Sequence, residues 1–222
     1  MTPTMTRTMP PPVFHPDPSP HYRRLPTDTD DGMLLIISGP SGVGKTTVTR
    51  GVERSIPDAV FSVSWTTRDR TGVDVEGVDY HFVSDADFEK QKAAGGFLET
   101  AGVYGRKYGT PREWVFTQLE RGRLVILEID VQGAIAVKKQ VKDAYAIFIE
   151  PPSEAELLAR LRARKREDEA GIQKRFGKAK EEIALAKSCG IYNVFIVNKN
   201  IDETIEKAIS LVNTERARRR KR

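Results

Sequence analysis

Residues 33–47 read Met33-Leu34-Leu35-Ile36-Ile37-Ser38-Gly39-Pro40-Ser41-Gly42-Val43-Gly44-Lys45-Thr46-Thr47. The eight residues from Gly39 to Thr46 match G-x-x-x-x-G-K-[ST] at every fixed position. The run before them is short, apolar and β-compatible, as expected of a buried parallel strand. Thr47 to Ser55 reads as a helix of about two turns that ends near Pro57. A loop of this kind, set between a strand and a helix, captures phosphate. Its glycines let the backbone of Gly39, Pro40, Ser41, Gly42, Val43 and Gly44 wrap so that N–H groups point inward. The helix N-terminus adds the positive end of a dipole, Lys45 supplies a charge, and Thr46 is suited to ligate Mg²⁺. The stretch predicts a nucleoside triphosphate site.

The surrounding chain bounds what such a site serves. At 222 residues, with 39% hydrophobic and 30% charged content, the chain suits one compact α/β domain with room for mobile subdomains. No apolar run approaches the ~18 residues that a membrane span needs. Cys189 is the single cysteine, which excludes an internal disulfide and fits a reducing cytoplasm. The net charge is +5, but Glu215 to Arg222 alone carries six basic residues and one acid. The other 214 residues are therefore formally neutral, so no specific nucleic-acid face is expected. A solvated, frayed helix end is the expectation for the tail. Residues 1–31 are proline-rich, poor in apolar side chains and expected to be disordered. An alternative places the translation start at Met33; an intact mass that includes residues 1–32 rejects it.

Downstream, Ala59 to Trp65 alternates and predicts a strand. Ser84 to Asp87 can cap a helix that Gly95-Gly96 stops. Short extended pieces at 97–100 and 104–110 flank a glycine turn, and Pro111 fits the start of a helix capped by Thr110 and running to about Arg121. Leu124-Val125-Ile126-Leu127-Glu128-Ile129-Asp130 is an apolar run closed by a carboxylate, the form of a strand whose acid acts on a metal or its water shell. Strands at 144–149 and 193–198 follow. Helical patterns lie between them, so the alternation predicts a parallel sheet with helices on both faces and ligands beyond the carboxyl ends of the strands. Residues 153–184 are dense in arginine and acid. Most of these belong to exposed helices with intrahelical pairs, while a subset of the arginines is placed to close over transferring phosphate as a lid.

From about Met33 to Arg216 the chain resembles guanylate kinases. The matching segments occur in the family order: 38–47, Val63-Ser64-Trp65-Thr66-Thr67-Arg68, 77–83, Phe97-Leu98-Glu99, Tyr108-Gly109-Thr110, 127–133, 149–153 and Ile196-Val197-Asn198. The resemblance implies a three-layer P-loop kinase fold with a parallel core sheet, a small mixed α/β GMP-binding subdomain and a helical lid. The implied divisions are a core at 32–63, 117–155 and 186–215, a GMP-binding part at 64–116, a lid at 156–185 and a basic tail at 216–222. The implied activity is Mg²⁺-assisted transfer of the γ-phosphoryl group of ATP to GMP or dGMP, in purine nucleotide metabolism.

The same resemblance assigns residues. Glu99 is the carboxylate that reads the guanine N1–H and N2–H donors, which adenine does not present as a pair; Ser64 and Thr110 are the hydroxyl partners of the base. Arg68, Tyr80 and Tyr108 receive the GMP phosphate. Asp130 lies near acceptor and metal, the latter with Thr46 and through water, and Glu128 precedes it by one strand period. Arg160, Arg164 and Arg175 face the ATP phosphates, and Asn198 lies near the adenine.

The chain departs from the family pattern at Thr71, where a second arginine is usual, and at Val73-Asp74, where Gly-Glu is usual. Arg70 is expected to take over the second phosphate contact, with Asp74 replacing the glutamate. Lys165 and Asn193 replace a usual glycine and aspartate. Two other readings compete. A ribose 1,5-bisphosphate phosphokinase needs no carboxylate that reads guanine. The guanylate-kinase-like modules of scaffolding proteins typically lose the loop lysine or its glycines, and Lys45 is present here.

Overall fold

Apolar runs that are continuous rather than alternating must be covered on both faces, and three such runs form the centre of the molecule. The computed structural model describes residues 31–103, 105–163 and 168–221. The expectation for the N-terminal stretch up to Asp30, and the assignment of Arg164, lie outside the described residues. The elements are β1 (Met33–Ser38), α1 (Lys45–Ser55), β2 (Ala59–Phe61), β3 (Trp65–Thr66), β4 (His81–Phe82), α2 (Asp85–Ala93), β5 (Phe97–Val103) and β6 (Arg106–Pro111). They continue with α3 (Arg112–Glu120), β7 (Leu124–Glu128), α4 (Val131–Gln140), β8 (Tyr145–Glu150), α5 (Glu154–Ala163), α6 (Glu169–Ser188), β9 (Val194–Val197) and α7 (Ile201–Arg219).

Among the described residues the core sheet has the order β2-β7-β1-β8-β9, with every pairing parallel. Alternation within β1 sends Met33, Leu35 and Ile37 to one face, where they meet Val48 and Val52 of α1 and Ala208 and Val212 of α7. Leu34 and Ile36 go to the other face, against Val115 of α3 and Ala134 and Val137 of α4. All of these side chains are essentially inaccessible to solvent, and each large aliphatic among them contributes about 1.5–3 kcal/mol by burial. The three-layer expectation is met.

The expected strand at 59–65 is instead divided between two sheets. Ala59–Phe61 pairs with β7 in the core. The chain then leaves the core, and Trp65–Thr66 joins a second sheet of order β4-β3-β6-β5. The reason lies in the partners of Trp65, whose ring meets Phe97 edge-on at 5.7 Å and His81 at 6.4 Å, both in the second sheet. That sheet is mixed, parallel at β3–β4 and antiparallel elsewhere. Ser84 caps α2 by accepting from the Asp87 N–H, as the sequence predicts. Thr110 does not cap α3: Pro111 stands at the cap position with no side-chain bond, because the Thr110 hydroxyl is used elsewhere. Arg50 ties the second sheet to the core, donating to the Val78 carbonyl at 2.8 Å while its guanidinium lies 4.2 Å from the Phe61 ring centre.

Helices α5 and α6 share a small core of Leu157, Leu161, Ile172 and Ala179. The C-terminal residues are not a frayed end as far as Arg219. Arg216 is 9% exposed and forms a two-pronged pair with Asp58, and Glu215 holds both Arg218 and Arg219. The sequence hides these partners because Asp58 lies 158 positions away. Arg216→Ala is expected to lower stability by about 1–3 kcal/mol, since it strips a part-buried carboxylate of its cation. An unchanged chemical-denaturation midpoint would reject that expectation.

Candidate active site

The carboxyl ends of β1 and β7 are adjacent because Ile37 pairs with Glu128 in the parallel register. The phosphate loop leaves β1 at that edge. Gly39, Gly42 and Gly44 all adopt positive φ. At Gly44 a Cβ would also stand 2.8 Å from the Asn198 amide nitrogen, so a side chain there meets both strain and a clash. Lys45 Nζ donates to the carbonyls of Gly39 at 2.7 Å and Pro40 at 3.1 Å, which folds the lysine back over its own loop. Thr46 Oγ1 donates to Glu128 Oε1 at 2.8 Å.

That last contact brings Glu128 rather than Asp130 into direct contact with Thr46. β7 ends at Glu128, and the chain turns into α4 before Asp130 can continue the strand. Asp130 becomes the helix cap and accepts from the Gly133 N–H at 2.8 Å. Glu128, not Asp130, therefore stands beside Thr46. Asn198 braces the loop. It is 4% exposed, its amide nitrogen donates to the Val43 carbonyl at 2.8 Å, and its amide oxygen accepts from Thr204.

A second group of polar side chains is built on the second sheet. Glu99 and Thr110 are direct cross-strand partners in β5 and β6, and the Thr110 hydroxyl donates to Glu99 Oε1 at 2.6 Å. Ser64 immediately precedes β3, one step before the Trp65–Gly109 pair, so it adjoins Thr110 in the same row. The other carboxyl oxygen of Glu99, Oε2, is buried with no hydrogen-bond partner among the described residues. A buried orphan acceptor is costly unless a ligand completes it. Burial, and secondarily the nearby Asp130 carboxylate, push the Glu99 carboxyl up to about 7 against the Thr110 bond. A Cβ on Gly133 would stand 3.0 Å from Glu99 Oε2, so that glycine keeps the approach to the carboxylate open.

A second cluster surrounds Arg68. Its guanidinium lies 5.3 Å from the ring centres of both Tyr80 and Phe82, and Tyr80 meets Tyr108 edge-on at 5.6 Å. The Nη1 and Nη2 atoms grip the two oxygens of Asp74 at 3.0 and 2.9 Å, and Nη1 also donates to the Asp69 carbonyl at 3.2 Å. Asp74 also accepts from the Thr71 N–H and hydroxyl, each at 2.7 Å. Arg68 first, then Thr71, holds the Asp74 carboxyl far below the usual range. Thr71, standing where the family pattern has an arginine, thus completes a turn that aims the acid at Arg68. Arg70 is exposed and donates to the Asp74 carbonyl at 3.1 Å; it belongs to the same turn, but Arg68 is the arginine set among the tyrosines. Asp74→Ala is expected to raise the KM for GMP roughly three- to tenfold by releasing Arg68, with the KM for ATP unmoved. Equal changes in both constants would contradict this.

Helices α5 and α6 reach the glycine loop that follows β1. Leu161 of α5 lies against Gly42, Arg160 donates to the Asn198 carbonyl at 3.0 Å, and Arg175 of α6 donates to the Ser41 hydroxyl. A phosphate cradle, a lid carrying arginines over it, and a separate pocket pairing a buried carboxylate with an aromatic-walled arginine define a P-loop kinase with a small-molecule acceptor. The family model described as guanylate kinase matches residues 31–215. The guanylate kinase of Coxiella burnetii is 41% identical over 84% of this chain and 89% of its own length. That of Thermotoga maritima is 39% identical over 84% of this chain and 89% of its own length. The crystal structure of guanylate kinase from Anaplasma phagocytophilum superposes with a TM-score of 0.67 at 31% identity, covering 83% of this chain and 86% of that one. This chain belongs to the guanylate kinase family.

Two contacts are not legible in the sequence. That Glu128 meets Thr46 is suggested only by an acid near the end of an apolar run. Gly133 lies within a matched segment, but its closeness to Glu99 is set by packing.

Proposed function

We propose that this protein transfers the γ-phosphoryl group of ATP to GMP, forming ADP and GDP, and that dGMP is also accepted. The observation that carries the reading is Glu99: a buried carboxylate with one oxygen held by Thr110 and the other without a partner among the described residues. Guanine supplies two adjacent N–H donors to such an acceptor, and a base lacking them leaves the carboxylate orphaned. Arg68, with Tyr80 and Tyr108, receives the acceptor phosphate. Arg70 stands on the rim of the same turn.

The donor triphosphate lies along the loop from Gly39 to Thr46, with Lys45 leaving its loop carbonyls to meet the β- and γ-phosphates. An oxygen of the GMP phosphate attacks the γ-phosphorus, the bond to the bridging oxygen of ADP breaks, and Arg160 and Arg175 spread the charge that develops. Mg²⁺ fits the Thr46 hydroxyl and the Glu128 carboxylate, which already converge within hydrogen-bond distance. When bound, the ion neutralises phosphate charge. Asp130, beside Glu99 rather than Thr46, orients the acceptor side. Within this reading the protein recycles GMP in purine nucleotide metabolism, and the single cysteine supports a cytoplasmic setting.

A coupled assay of ADP release tests the proposal, with GMP, dGMP, AMP, UMP and ribose 1,5-bisphosphate as acceptors. GMP-dependent ADP formation with ATP and Mg²⁺ is expected, and its absence sinks the reading. Strong activity with ribose 1,5-bisphosphate alone would replace it.

A further inference from the structure

The chain passes from the core sheet to the second sheet over a very short span. The Ser62 N–H donates to the Ile126 carbonyl at 3.0 Å in the core, and the Ser64 carbonyl accepts from the His81 N–H at 2.9 Å in the second sheet. Val63 alone lies between them, so only a few backbone torsions separate the two sheets here. Arg50 of α1 bonds on both sides of this crossing. On the core side its guanidinium carbon lies 4.2 Å from the ring centre of Phe61, the last residue of β2. Its Nη1 donates to Glu53 Oε2 at 2.8 Å, and Glu53 Oε1 accepts from the Phe61 N–H at 3.3 Å. On the other side Arg50 Nη2 donates to the Val78 carbonyl at 2.8 Å.

Val78 belongs to the turn that carries Tyr80. The Val78 and Asp79 N–H groups donate to the Val75 carbonyl at 3.1 and 3.0 Å, and the Gly77 N–H donates to the Tyr80 carbonyl at 2.9 Å. Every residue from Val75 to Asp79 is exposed, Val75 and Val78 by 51% and 50%. Apolar burial therefore does little to hold the turn, and a charge-assisted bond to its carbonyl counts for correspondingly more. At the inner end of the turn, Tyr80 meets Tyr108 and the Arg68 guanidinium. The helix that carries Arg50 begins with Lys45. A planar guanidinium suits the task, since its face rests on Phe61 while separate nitrogens serve Glu53 and Val78.

We propose that Arg50 is a positioning residue for phosphoryl transfer. By holding the Val78 carbonyl it fixes Tyr80, and with it the Arg68 cluster, relative to the phosphate loop at the head of its own helix. It acts through Val78 and Tyr80 rather than by touching a nucleotide. Its loss alters acceptor binding and the alignment needed for transfer, and leaves donor binding as it was. The inference rests on Arg68 and Tyr80 receiving the GMP phosphate and deepens the proposed function.

Three variants of the full-length protein test this. Arg50→Met keeps an apolar stem on Phe61 and removes both donors, Arg50→Lys keeps one donor for Val78, and Glu53→Gln removes the charge that pairs with Arg50 within α1. Arg50→Met is expected to raise the KM for GMP and lower kcat by about fivefold each, with the KM for ATP within about twofold of wild type. Arg50→Lys should recover most of that loss, and Glu53→Gln should stay within about twofold in every constant. Calorimetry should show weaker GMP binding and unchanged ADP binding in Arg50→Met, with an unchanged circular dichroism spectrum. Hydrogen–deuterium exchange should quicken over residues 75–80 in Arg50→Met and stay as in wild type over the phosphate loop. A GMP KM that does not move in Arg50→Met overturns the proposal, as do equal shifts in both KM values or a Glu53→Gln variant as impaired as Arg50→Met. Loss of the fold in Arg50→Met would assign Arg50 to stability and overturn it as well. If wild type binds ADP but neither binds nor phosphorylates GMP, the proposed function fails. Exchange over residues 75–80 then still decides whether Arg50 holds the turn.

Discussion

Glu99→Gln is expected to lower kcat/KM for GMP by about 10³-fold while the KM for ATP moves less than about twofold. The amide places a donor where the guanine N1–H and N2–H need an acceptor, and the site is too buried for water to repair the mismatch. The hydroxyl of Thr110, 2.6 Å from Glu99 Oε1, can still satisfy the amide oxygen, so the fold survives the change. A GMP kcat/KM within about tenfold of wild type would show that another group reads the base.

The same carboxyl sets a pH dependence whose sign is fixed. Only the ionised form accepts both guanine donors, and burial raises the group to about 7. The kcat/KM for GMP should therefore fall about tenfold per pH unit below about 7, while the KM for ATP stays flat over that range. Stability runs the other way. The group is raised from 4.5 in the folded protein, so its contribution is complete below 4.5 and is lost as pH rises through about 7. Glu99→Gln should consequently be more stable than wild type near neutral and alkaline pH, by on the order of 2 kcal/mol. A variant that melts later and works far less well would mark Glu99 as a residue kept for recognition at a cost in stability.

Lys45→Met is expected to reduce kcat by about 10³-fold. Methionine retains the apolar stem but not the ammonium that bonds to the Gly39 and Pro40 carbonyls at 2.7 and 3.1 Å. The ammonium stabilises the charge that develops on the transferring phosphoryl group, so its loss is felt mainly in kcat. The KM for GMP should hold within about threefold. A kcat above about one tenth of wild type would assign the charge stabilisation to the lid arginines alone.

Legibility differed sharply between the two halves of the site. The donor loop could be read directly, because a phosphate cradle is made by consecutive backbone groups and its glycines must occur at fixed spacing. Gly39, Gly42 and Gly44 do adopt the positive φ that reading requires. The acceptor pocket came only through resemblance, because Glu99 and Thr110 are eleven residues apart and meet by cross-strand register. Distant partners also set the local contacts. Thr110 does not cap α3 because its hydroxyl is bonded to Glu99; Asp130 caps α4 while Glu128 meets Thr46; and the loop carbonyl of Val43 holds the Asn198 amide.

By itself the sequence determined the parallel core and the phosphate loop. Both arise from local pattern: unbroken apolar runs that need cover on two faces, and a glycine spacing that curls one short stretch of backbone. Only the tertiary structure decided which acid meets Thr46, that Asp74 and Thr71 hold Arg68, that Asp58 anchors Arg216, and that Arg175 reaches Ser41. Those choices depend on hydrogen bonds between residues up to 158 positions apart. Such bonds are fixed by strand register and helix packing, which no run of neighbouring residues encodes.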